Sequence, residues 1–266
     1  MDLRQPGHDV TDFYAIAAGL IAEPRFAAAA AVAIVAGLVR GFSGFGSALI
    51  YVPLMAAIYE PRIAALTLLI VDFTASAPFT VPLTRRCNWR EVAPVSIAAI
   101  CTIPIGVAAL EYLDPNILRW FIAILVGTLL LVLASGWRYS APPTLPASIG
   151  VGLVAGFGSG AAQIAGPAAI IYWLGGPSSA HVIRANLMVY FAILAIMSGV
   201  IYYARGLFTA DVLVLSVLLG PMFIVAMAAG AYLFRGASDQ AYRRVAYAII
   251  ALSAVVSLPL FDELFR

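Results

Sequence analysis

The sequence predicts an all-α polytopic membrane protein of two inverted repeats, each a glycine-broken, re-entrant helical hairpin plus three transmembrane helices. Three observations predict it. Hydrophobic residues make up 63% of the 266 and charged ones only 11%, against about 25% charged in a soluble domain. Two apolar stretches, residues 26–60 and 147–174, are interrupted by glycine runs. The arginine-rich loops change places between the two halves.

The same composition excludes other classes. A net charge of +2 is too small to suggest a nucleic-acid partner, and every basic residue is arginine. Cys87 and Cys101 form neither a disulfide framework nor a metal-ligand spacing. There is no His/Glu metal motif, nucleophile elbow or phosphate-binding loop. Enzymatic chemistry, a cofactor and a resident metal are therefore not expected.

Residues 1–25 carry Asp2, Asp9, Asp12 and Glu23 around a short apolar piece. Early acids argue against a signal peptide, and the segment reads as a tail or interfacial helix. The first repeat, 26–138, opens with the run Arg40-Gly41-Phe42-Ser43-Gly44-Phe45-Gly46-Ser47 inside an apolar segment. At 1.5 Å per residue the whole stretch would be ~50 Å long, against a hydrocarbon core of about 30 Å. That is too long for one straight span and too short for two, so two half-length helices meeting at a glycine tip are expected. Broken backbone is tolerated at membrane depth only where it is buried in protein or lines a polar cavity. Spans are expected over 63–83, 92–110 and 117–137, the first two joined by a polar loop at 84–91. A proline-containing linker, 139–146, leads to the second repeat, 147–266. There a broken segment at 147–174 precedes spans near 182–204, 212–234 and 242–260.

The duplication is visible in the letters. Gly37-Leu38-Val39-Arg40-Gly41-Phe42 matches Gly152-Leu153-Val154-Ala155-Gly156-Phe157, Asp72 falls near Tyr190, and Gly106 near Gly230. Chance likeness of Gly/Ala/Val-rich spans is the alternative. A hairpin that returns to its entry side leaves three crossings per half, so the second half must be inverted. One face then holds Arg85, Arg86, Arg90, Arg138, Arg184, Arg235, Arg243 and Arg244, while Arg62, Arg119, Arg205 and Arg266 lie opposite with most of the acids. Positive charge marks the cytoplasmic side, which puts both termini outside.

The glycine tips are the first candidate site. Backbone released from helix bonding offers N–H groups, and a helix N-terminus adds partial positive charge. Gly41, Gly44, Gly46, Gly156, Gly158 and Gly160 would supply backbone, Ser43, Ser47 and Ser159 hydroxyls, and Gln163 an amide. Arg40 precedes the first tip, where a charge is costly unless it faces a cavity or a partner. These groups would bind a small anion. Glycines that merely permit close helix packing, and an Arg40 that snorkels to the interface, are the competing reading. Asp72 either pairs with Arg40 or carries a coupling proton. Asn186 has the depth to face the cavity. Pro53 and Pro167 are placed to bend the second half-helices, and Cys101 reads as a buried small residue.

A glycine-rich stretch followed by proline early in each half, Gly41 to Gly46 with Pro53 and Gly156 to Gly160 with Pro167, resembles the sulfite exporter TauE/SafE family. Phe45 and Ser159 interrupt the usual run of three glycines. The resemblance implies a bacterial inner-membrane protein that moves sulfur oxyanions or organosulfonates, usually outward. The sequence thus reads as a secondary transporter whose partners are a small anion, the lipid bilayer and a coupling proton or ion. An anion channel and a non-transporting accessory subunit are the rival classes. Counterflow exchange would mark the carrier, single-channel currents the channel, and a stoichiometric copurifying partner the subunit.

Overall fold

The computed structural model describes residues 8–43, 46–134, 144–174 and 180–234, and all regular structure among them is helical. The expected span over 242–260 and residues 139–143 of the linker lie outside the described residues. The elements are α1 (His8–Ala22), α2 (Pro24–Ser43), α3 (Ser47–Ile58), α4 (Pro61–Thr80), α5 (Trp89–Tyr112), α6 (Pro115–Ala134), α7 (Leu145–Ala162), α8 (Gly166–Leu174), α9 (Ala180–Ala204) and α10 (Ala210–Phe234). A short 3-10 turn, Val81–Arg85, leads from α4 towards α5.

Local sequence sets these boundaries. Proline stands in the first turn of α2, α4, α6 and α7 (Pro24, Pro61, Pro115 and Pro146), where its missing N–H costs nothing and its φ suits the helix. Asn88 caps α5 by accepting from the Arg90 amide at 3.2 Å. Among the described residues, 6 helices are long and apolar enough to cross a membrane: α2, α4 with its 3-10 extension, α5, α7, α9 and α10. This is a multi-pass membrane protein.

The first break falls inside the predicted glycine run, between Ser43 and Ser47, whereas the second falls beyond Gly160, between Ala162 and Gly166. Each divides its segment unequally, into 20 and 12 residues for α2 and α3, and 18 and 9 for α7 and α8. Helix α2 runs through Gly41 to Ser43, and α7 runs through Gly156 and Gly160 to Ala162. The reason is packing. A Cβ on Gly41 would lie 1.9 Å from the Met227 carbonyl oxygen of α10, and one on Gly37 would lie 2.5 Å from that of Phe223. On α7, a Cβ at Gly156 would lie 2.1 Å from the Ala99 carbonyl oxygen of α5, and one at Gly160 would lie 2.3 Å from that of Ile103. Glycines one turn apart let backbones meet where lipid gives helices no hydrophobic reason to associate. Gly106 and Gly230 return the contact, each against a carbonyl of the opposing helix (Phe157 and Leu38).

In their packing, α2 and α7 correspond one helical turn away from the match of the letters. Gly37 and Gly41 have the surroundings of Gly156 and Gly160, not of Gly152 and Gly156. In that register the ends of α2 and α7, Ser43 and Ala162, also coincide. Arg40 then corresponds to Ser159 rather than Ala155. Pro53 and Pro167 are not equivalent: Pro53 lies inside α3, whereas Pro167 is the second residue of α8.

After each break the chain folds back. The Arg25 guanidinium at the start of α2 lies 4.7 Å from the Tyr59 ring centre just past α3. Ser148 at the start of α7 shares a 2.7 Å hydrogen bond with Tyr172 near the end of α8. At the bundle end that holds the start of α4, Arg62 donates to the Glu111 carbonyl at 2.9 Å, and Arg205 pairs with the Glu111 carboxylate at 3.2 Å. The start of α9 reaches the start of α5 instead, through Asn186. Two buried clusters fill the space between, one around Tyr51, Met55 and Phe223, the other around Ile103, Trp173 and Tyr190.

Candidate functional site

Both breaks open onto one cavity of about 70 Å³. On the same measure one water needs about 10–15 Å³, so the space suits a few waters or one small oxyanion. Its lining includes Arg40, Gly46 and Ser47 from the first break, Asp72 from α4, and Ser159, Gln163 and Gly166 from the second. Leu68, Ile170, Phe191 and Leu194 supply apolar walls.

Arg40 is buried, 6% exposed, and grips Asp72 with two nitrogens: Nε lies 2.9 Å from Oδ1 and Nη2 3.0 Å from Oδ2. Ser47 donates its hydroxyl to Oδ1 at 2.8 Å. A forked guanidinium–carboxylate pair is the strong form of this contact. Asp72 is 21% exposed, and its open side faces the cavity. The first turn of α3 stands beside it, with Gly46 in the left-handed region at φ 92° and no side chain capping the helix. Its leading amides add a positive end to the wall.

The second break carries no charge. Gln163 closes α7 in the left-handed region, at φ 56°, and is the non-glycine residue found there among the described residues. Its amide nitrogen donates to the Ser159 carbonyl at 3.0 Å and to the Tyr202 hydroxyl at 3.3 Å. Tyr202 in turn donates to the Gly160 carbonyl at 2.7 Å, and Ser198 shares a 3.3 Å hydrogen bond with Ser159. Two α9 side chains therefore brace this turn. The chain passes back over Gly158, where a Cβ would lie 2.5 Å from the Ile164 carbonyl oxygen.

The family model for the sulfite exporter TauE/SafE family matches residues 29–257. The chain belongs to that family. It is a membrane transporter of the kind that moves sulfite-like anions, not an enzyme. The stretch matched takes in both breaks and every residue of the cavity. No curated protein and no solved structure shows a significant match.

For a transporter of this family the placement of the remaining candidates matters. Gly41, Gly156 and Gly160 turn their Cα faces to neighbouring helices, not to the cavity. Asn186 is also displaced. It accepts from the Asn88 amide at 2.7 Å and donates to Glu91 at 3.0 Å, so it fastens α9 to the start of α5. Asn186 therefore lies at the level of the start of α5, about one to three turns from the α9 residues that line the cavity. Gly44 and the Ser43 side chain lie outside the described residues. Cys101 is exposed on α5 rather than buried. Burial pushes the Cys87 thiol up, which leaves it a poor nucleophile near neutral pH.

Ser198 and Tyr202 are the residues that sequence reasoning missed. Serine and tyrosine are ordinary in an apolar span, and only the contact with the second break distinguishes these two.

Proposed function

We propose that the chain is a secondary transporter carrying a small sulfur oxyanion or organosulfonate outward across the inner membrane. The cavity between the two breaks is its substrate site, exposed alternately to the two sides. The observation that carries this reading is the convergence of Arg40, Ser47, Ser159, Gln163 and two helix N-termini on a space of oxyanion size. Asp72 acts as an internal anion that occupies Arg40 while the substrate is absent. The incoming substrate takes the guanidinium and the Ser47 hydroxyl from it. A proton taken up by Asp72 would ease that exchange and couple flux to a proton gradient.

We read the chain as two inverted repeats, 26–138 and 147–266, joined by the linker 139–146, each opening with a re-entrant hairpin. The matched glycine contacts of α2 on α10 and α7 on α5 support this. So do the two closures, Arg25 on Tyr59 and Ser148 on Tyr172. Arg85, Arg86, Arg90 and Arg184 gather where α4 ends and α5 and α9 begin, which favours that end as cytoplasmic. Both termini then lie outside.

Proteoliposomes challenged with sulfite, thiosulfate, sulfate, methanesulfonate and acetate test the function. Saturable flux and counterflow of sulfite or a sulfonate, with acetate excluded, is expected. Flux of none of them would overturn the reading, and unitary currents would replace the carrier with a channel.

A further inference from the structure

Arg40 also lines a second, larger space. A cavity of about 810 Å³ extends from Arg40 and Gly41 past Thr74 and Phe79 to Arg86 and Arg184. Arg86 lies just beyond the 3-10 turn that follows α4, and Arg184 lies in the first turns of α9. Both are exposed. The inner cavity balances its guanidinium with Asp72, but no carboxylate is among the described residues that line the larger one. Two like charges lining one space make its potential positive and favour an anion there. The rest of the wall is mostly apolar, with Leu83, Met188, Ile224 and Met227 prominent. An acid group held at the arginines would leave an apolar body room against these side chains.

We infer that this larger cavity is a loading station for an organic anion, with Arg86 and Arg184 taking its acid group and Arg40 standing at the passage to the inner cavity. The inference rests on the transport reading for its purpose, but the station itself is a binding site that can be measured without flux. The recognised chemistry is a sulfonate or phosphonate-like head on a short apolar body. A free organosulfonate and the headgroup of an anionic lipid both offer it. The apparent affinity of the inner site would benefit because the station concentrates substrate beside Arg40 from the arginine-rich end only.

The test compares the full-length protein with the R86Q/R184Q double variant, since glutamine keeps length and removes charge at exposed positions. Titration with butanesulfonate in detergent should show binding that weakens about tenfold or more in the variant, the loss of one or two charge-assisted contacts. Proteoliposomes of pure phosphatidylcholine should show the apparent KM for sulfonate uptake raised from the arginine-rich face and unchanged from the opposite face. Equal butanesulfonate affinity in both proteins, or a KM raised equally from both faces, overturns the station. An effect of the double variant that appears only when phosphatidylglycerol is present assigns the arginines to a lipid headgroup and overturns it too. Arginine-dependent binding in a protein that carries no anion would leave the station standing and remove the transport reading.

Discussion

The break after α2 and the break after α7 each turn through a left-handed residue, Gly46 at the start of α3 and Gln163 at the end of α7, and they equip the cavity differently. Gly46 and Gln163 both adopt the left-handed conformation, at φ 92° and 56°, and each is followed by a short helix whose N-terminus borders the same space. At the first break the side chains are a guanidinium, a carboxylate and a hydroxyl in contact. At the second they are a hydroxyl and an amide, braced by Ser198 and Tyr202. In the register set by the glycine contacts, Ser159 stands where Arg40 does. On the proposed transport reading, one half supplies a charge that changes partners, and the other a braced polar wall. A site that must both bind and release an anion is served by that division, because a second buried guanidinium would hold the substrate too tightly.

The largest expected effect follows from removing the charge. Arg40→Ala removes the guanidinium proposed to hold the anion and leaves Asp72 with the Ser47 hydroxyl but without its counter-charge. Sulfite or sulfonate flux in proteoliposomes should fall about a hundredfold or more. The comparison can be tested more sharply by moving the charge. The double variant R40S/S159R places the guanidinium on the other break and should recover part of the flux that Arg40→Ser loses. Equal inactivity of both, with both proteins folded, would mean that the two positions are not equivalent halves of one site.

A smaller effect is expected at Asp72. Asparagine retains an acceptor for Arg40 and Ser47 but cannot take up a proton. Asp72→Asn should keep flux within about tenfold of the parent, the scale of one weakened charge-assisted bond, while its dependence on an imposed proton gradient is lost. Flux measured with and without that gradient separates the roles. Retained gradient dependence in the variant would leave Asp72 as a purely structural partner of Arg40.

The spans were legible because hydropathy and length decide what can cross a bilayer. The cavity's charged members stood out for a related reason: Arg40 and Asp72 are costly inside apolar helices, and a cost of that size demands a partner or a cavity. The glycines were less readable. Glycine serves both to break a helix and to let two helices touch, and Gly41, Gly156 and Gly160 do the second. Their one-turn spacing also admits two registers, the match of the letters that pairs Arg40 with Ala155 and the match of the packing that pairs it with Ser159. Asn186 illustrates a third limit, since its level along α9 is that of the start of α5, where its partners are the Asn88 amide and Glu91, and not that of the cavity.

Gln163 gives the subtlest test of the contrast between the breaks. A non-glycine residue in the left-handed region carries strain of roughly 1 kcal/mol or more, and such strain persists where something else requires it. Its two side-chain hydrogen bonds, to the Ser159 carbonyl and Tyr202, contribute about 0.5–1.5 kcal/mol each. Gln163→Gly removes both the strain and the bonds, so thermal stability should change little. Gln163→Ala keeps the strain and loses the bonds, and should lower stability by about 1–3 kcal/mol. If the amide is retained only to hold the turn, the glycine variant should transport normally. If it is retained as part of the polar wall facing Arg40, the glycine variant should be as stable as the parent and transport several-fold more slowly, with the loss in affinity for the anion. The second outcome is expected, because glycine would make this left-handed turn without strain and only the amide borders the cavity.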